Sequence, residues 1–223
     1  MNQLETANLR EDIHRMIQIV LKAQESYRIV YYLMQRDDDF YIQNIKRKNH
    51  FLKSVKHTYW QVTVIELTKL FYFNHKDDTQ TKNREHFNLR DFLKKLGTEN
   101  VYSWVNISPF ILNRWQQEIK KCNKTVLNLI TLRDKLYAHD DRNNKDVINQ
   151  TTLKHLMPLF SIAIEILSVA SINGLNEGNS FEVIGSPVKE LEKMVVQIAK
   201  VKKDHMELYR PILKKYDLEN ELP

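Results

Sequence analysis

Glycine and proline are scarce in this chain, with four of one and five of the other among 223 residues. Average usage would give roughly 27 of the two together. The first glycine is Gly97 and the first proline Pro109, so residues 1–96 carry no strong backbone punctuation. Collagen-like, disulfide-scaffold and turn-rich all-β chains are excluded on that ground. The common phosphate cradles are excluded too, because a P-loop or a Rossmann turn needs clustered glycines to bring backbone against phosphate. The nearest pair, Gly174 and Gly178, has no Lys-Ser/Thr after it. One thiol, Cys122, allows neither an internal disulfide nor a cysteine zinc site. The opening residues MNQLETANLREDIH are polar and acidic, without the pattern of a signal peptide. The most apolar run, Leu159 to Ile172, reads as too short for a bilayer and carries Glu165. A cytoplasmic protein with no membrane partner is therefore expected.

What is present is helical periodicity. Hydrophobic residues make up 42% and charged residues 28%, enough for a sizeable core, with a net charge of +6. A first helix is read from Leu9, Ile13, Met16, Ile17 and Val20 through Tyr27 and Tyr31 to Met34, stopping at Asp37-Asp38-Asp39. A second runs from about Phe40 to Phe73, and its latter half, TYWQVTVIELTKLFYF, is apolar on nearly every side. Asn74 to Phe87 reads as an exposed loop, after which Asn88 caps a short helix ended by Gly97. Ser108-Pro109 and Ser186-Pro187 each place a capping hydroxyl before a first-turn proline. The helix after Pro109 is expected to run to about Ala138 or His139, another from Thr152 to Ile172, and the last from Pro187 to Leu208 or beyond. A short strand is expected at Ser180 to Ile184. The economical architecture is a single all-α domain over 1–223, an up-down bundle of long antiparallel helices. Its core covers about 40–173, with flanking helices at 1–36 and 187–215.

Several chemistries fail for want of residues. A ferritin-like dimetal site needs two Glu-x-x-His motifs, and only Glu11-Asp12-Ile13-His14 occurs. No His-Glu-x-x-His and no Gly-x-Ser-x-Gly is present. His50 and His57 share a helix face without a carboxylate between them, which suits surface histidines better than a metal site. No metal and no cofactor is expected.

The informative stretch is Leu127 to Asp141, LNLITLRDKLYAHDD. Down this helix the apolar stripe reads Ile119, Cys122, Val126, Ile130, and its next place is Arg133. A guanidinium there must find a carboxylate, a phosphate or a wet cleft, because burying it unpaired is costly. Asp134, Asp140 and Asp141 are local candidates, and pairing with Asp140 is the plain structural reading. His139 opens a second reading. It lies six residues on, roughly 240° around and 9 Å along an ideal helix, so the two converge only if the helix ends or a second copy contributes. Histidine exchanges protons near neutral pH and arginine's fork holds phosphate charge, the pair that metal-free RNA cleavage requires.

Arg133-Asp134-Lys135-Leu136-Tyr137-Ala138-His139-Asp140 resembles the Arg-polar-(x)-His signature of the HEPN superfamily, and RDKLYAHDD most resembles its abortive-infection AbiU-like branch. YWQVTVIELTKLFY and NLRDFLKKL fit that branch as a long buried helix before a loop and a short helix after it, so the resemblance spans roughly Val55 to Asp141. The resemblance implies a compact, dimeric helical domain acting as a metal-independent ribonuclease of a toxin–antitoxin or antiphage defence system. It implies Arg133 and His139 as the catalytic pair, Asp134 orienting or supporting them, and the RNA 2′-OH as nucleophile. RNA, a second copy of the chain and an antitoxin protein are the partners it implies. A non-catalytic helical module that binds RNA, nucleotide or a partner protein is the alternative.

A second region bears on RNA. No acidic residue occurs from Phe40 to Ile65, while Lys46, Arg47, Lys48, Lys53 and Lys56 cluster with His50 and His57. Tyr41, Phe51, Tyr59 and Trp60 interleave. Cations for phosphate and aromatics for stacking suit single-stranded RNA. The competing reading is a solvated lysine face with its aromatics in the core, and for Tyr59 and Trp60 that reading is the better one.

Overall fold

The computed structural model describes residues 3–73, 88–97, 100–137, 151–181 and 186–215. It is all-α, with no strand among the described residues. The helices are α1 (Gln3–Met34), α2 (Phe40–Lys48), α3 (His50–Phe71), α4 (Leu89–Lys95), α5 (Pro109–Lys121), α6 (Asn123–Thr131), α7 (Met157–Leu175) and α8 (Pro187–Lys215). A π-helical segment, Leu132–Tyr137, continues α6, and a 3₁₀ turn, Leu153–Leu156, leads into α7.

Several starts follow the local chemistry read from the sequence. Asp39 accepts from the amides of Tyr41 and Ile42 and so caps α2. Asn88 accepts from Asp91 N at 2.9 Å, and Ser108 from Ile111 N at 3.3 Å ahead of Pro109. Two expected helices are each divided. The one expected over Phe40 to Phe73 breaks at Asn49, whose backbone is extended (φ −68°, ψ 118°) and whose side chain accepts from Leu52 N. Asparagine offers the chain this alternative to helix, and it takes it. The one expected from Pro109 onward bends at Cys122 (φ −83°, ψ 0°), with neither glycine nor proline to mark the place. The expected strand falls mostly outside the described residues, and Ser180 and Phe181 are irregular. The loops expected at Asn74 to Phe87 and after His139 lie outside them.

The chain separates into two compact units, Met1–Tyr27 with Trp60–Ile184, and Arg28–Tyr59 with Gly185–Pro223. In the larger unit, Leu9, Ile13, Met16 and Val20 form the buried stripe of α1, and Val64, Leu67, Leu70 and Phe71 that of α3. α7 contributes Leu159, Ala163, Ile166, Leu167 and Ala170, all fully buried. The 23-residue stretch Leu153–Leu175 is longer than the apolar run read from sequence and has the length and hydropathy of a membrane span. Half of that window is buried against the protein. Its Glu165 accepts from Trp115 Nε1 at 2.9 Å and pairs with Arg114, so the charge has local partners. In the smaller unit, Ile29, Leu33, Ile45, Leu52, Val195 and Ala199 make a separate cluster in which α2 packs along α8.

Candidate active site

The buried face of α6 and its π-helical continuation is Val126, Leu129 and Leu132. This shifts the stripe by one residue from the one read in sequence, and Arg133 falls at its edge instead of within it. The Arg133 side chain is 30% exposed. It is held in two ways. Its Nε donates to Asp134 Oδ1 at 2.6 Å, and its Cζ lies 5.1 Å from the centroid of the Tyr72 ring, just past the end of α3. Among the described residues nothing else bonds the guanidinium, so its two Nη groups, the edge suited to a phosphate, are not engaged. Asp134 is half exposed and accepts only from Arg133 among the described residues.

Arg133 and Asp134 both lie within the π-helical segment. An i→i+5 repeat takes about one more residue per turn than an α-helix, and such segments recur at functional sites. The α-helical phase that separates positions 133 and 139 by roughly 240° does not carry across it. His139 itself, with Asp140 and Asp141, lies outside the described residues.

Tyr72 closes the apolar stretch TYWQVTVIELTKLFYF, and nothing in the sequence ties it to Arg133. Its neighbour Phe73 carries a second guanidinium, Arg90 of α4, with Cζ 4.3 Å from the ring centroid. Two consecutive aromatics at the exit of α3 thus seat two arginines. The only signal for this in sequence is the pair Tyr72-Phe73 closing an apolar helix.

The basic stretch lies in the smaller unit, whereas Arg133 and Asp134 lie in the larger. Its members differ in environment. Lys46 is buried, with Nζ 3.3 Å from Asp37 Oδ2 and 4.0 Å above the Tyr32 ring, so it presents no charge to a ligand. Arg47, Lys48 and Lys53 are exposed, Lys56 partly so. Phe40 and Phe51, which interleave with these cations in sequence, are more than 60% exposed. Tyr59 packs against the core of the smaller unit and Trp60 against that of the larger. Charge is divided unevenly. The smaller unit has 15 Lys and Arg against 10 Asp and Glu, a net +5 of the chain's +6, and the larger has 19 against 18.

A cavity of about 320 Å³ in the larger unit is lined by Arg114, Glu118, Cys122, Ser161 and Glu165 among others. Arg114 and Glu165 satisfy each other there. Burial, and then Glu118, raises the Cys122 thiol above its ordinary pKa, which keeps it protonated and a poor nucleophile. No group of three or more His, Cys, Asp or Glu side chains placed to hold a metal occurs among the described residues. No protein-family model, no curated protein and no solved structure matches the chain.

Proposed function

We propose that this chain is a HEPN-type ribonuclease of a defence or toxin–antitoxin system, acting as a homodimer and cutting RNA without a metal. The observation that carries the reading is Arg133, a half-buried guanidinium oriented by Asp134 and Tyr72 with its Nη edge not engaged by any described residue. In the proposed reaction the 2′-oxygen bonds phosphorus as the 5′-oxygen leaves, giving a cyclic phosphate. One proton must leave the 2′-hydroxyl and one must reach the departing oxygen. His139 exchanges one of these, and a homodimer carries two such histidines. Arg133 holds the charge that builds on the phosphorane and Asp134 keeps it aimed, while Arg47, Lys48, Lys53 and Lys56 offer RNA a separate basic face on the smaller unit.

The test is digestion of single-stranded RNA in excess chelator. Wild type should leave 2′,3′-cyclic phosphate ends, while His139→Ala and Arg133→Ala should each lose at least a hundredfold in rate. Equal cleavage by wild type and His139→Ala, or cleavage by neither, defeats the catalytic reading. The division of charge favours one second reading, a non-catalytic RNA-binding module, since the unit with most of the net charge lacks Arg133. It expects tight binding, no cleavage, and a marked fall in melting temperature on Arg133→Ala.

A further inference from the structure

Arg90 is the second residue of α4, two after the N-cap Asn88, and is half-buried. Its Nη2 donates to Asn123 Oδ1 at 2.6 Å, and the Phe73 ring covers one face. Its Nε is buried without a hydrogen-bond partner. No carboxylate among the described residues forms an ion pair with it. The nearest in sequence, Asp91, already accepts from Asn88 Nδ2 at 2.8 Å and from Lys94 Nζ at 3.1 Å. Burial lowers the Arg90 pKa from its ordinary value, and Asp91 offsets this only in part. A partly desolvated guanidinium with no anion among the described residues is an expensive arrangement. By contrast Arg114, Arg10 and Arg15 each pair with a glutamate.

We infer that Arg90 is a second phosphate-binding arginine, which holds a backbone phosphate of single-stranded RNA other than the one held by Arg133. The RNA as ligand rests on the function proposed above; the anion site rests on the geometry of Arg90 itself. Its partner Asn123 opens α6 and Arg133 lies ten residues on, roughly 15 Å along the helix. At that backbone spacing each arginine is assigned its own phosphate of one strand. The aromatic pair Tyr72-Phe73 then backs both cations; with Arg90 Nε sealed and Nη2 donating to Asn123, a phosphate oxygen would meet Arg90 through Nη1.

The experiment measures binding of a fluorescent ten-residue 2′-O-methyl oligoribonucleotide, which lacks the nucleophile and is not cut. Arg90→Gln keeps a donor for Asn123 and removes the charge. Affinity should fall about tenfold, as for one lost charge-assisted contact, and the slope of log K against log salt should flatten by about 0.7. Melting temperature without RNA should stay level or rise. Arg90→Lys should recover part of the affinity. Unchanged affinity and slope, or a sharply lower melting temperature or failure to fold in Arg90→Gln, makes Arg90 structural and overturns the inference. The two proposals fail separately. Weakened binding beside an inactive wild type keeps the Arg90 site and defeats the nuclease, while cleavage beside unaltered Arg90→Gln binding does the reverse.

Discussion

Lys46 shows how far a residue's role depends on where its head group ends. In sequence it is one of five cations in an acid-free stretch, yet its ammonium lies on the Tyr32 ring and against Asp37 inside the smaller unit. Lys46→Ala should cost about 2–3 kcal/mol by emptying that space and removing the cation, whereas Lys46→Met, which keeps the volume, should stay within about 1 kcal/mol of wild type. Neither should alter RNA affinity, while Lys48→Ala and Lys53→Ala should weaken it without a change in stability. Denaturant titration together with binding at two salt concentrations checks both halves. Arg133 is conspicuous in the sequence because a guanidinium occupies the next place on an apolar stripe. Tyr72 is not, since a ring at the end of an apolar helix looks like core until the arginine from a distant segment is seen against it.

Elements were read best where a side chain acts on its own backbone. The caps at Asn88 and Ser108 need only a few consecutive residues, and both were visible. The break at Cys122 and the π segment were invisible, because helix phase there is set by what α6 packs on and not by local propensity. The same tertiary control acts at Gly174 in α7. A Cβ there would stand 2.5 Å from Leu9 Cδ2 and 3.1 Å from Val105 Cγ2, and Leu9 and Val105 are both buried. Gly174→Ala would gain up to about 1 kcal/mol of helix propensity but incur about 1–3 kcal/mol of overpacking. The expected outcome is a net loss of about 1 kcal/mol, read from a denaturation midpoint that moves without a change in slope.

For the molecule as a whole, the all-α class followed from the lack of glycine and proline, but the partition into two units did not. Two of its three boundaries fall inside α1 and inside α3, where no composition shift marks them; only the third, before Gly185-Ser186-Pro187, has a sequence signal. Alkaline stability is a property of this scale. Burial, helped by Glu192 and Asp37, pushes Tyr32 up to about 12, and burial with a hydrogen bond to Asp12 raises Tyr102 as well. Folded chains hold these protons after unfolded ones have released theirs at about pH 10. Stability from Tyr32 is therefore complete below pH 10 and lost between about 10 and 12, with the Tyr102 contribution following. Denaturation across that range should show the fall, and Tyr32→Phe should flatten its first part.

Both units are assembled from separated lengths of chain, and this sets an order in time. Arg10 on α1 pairs with Glu177, 167 residues later, and Leu9 waits for Gly174. At ordinary ribosomal speeds that interval lasts on the order of 10–30 s. The smaller unit likewise has no α8 to close on until the chain has passed Gly185. Throughout that delay the apolar face of α1 is without its partner from α7. The nascent chain thus carries an uncovered apolar helix face until nearly four-fifths of its length has been made.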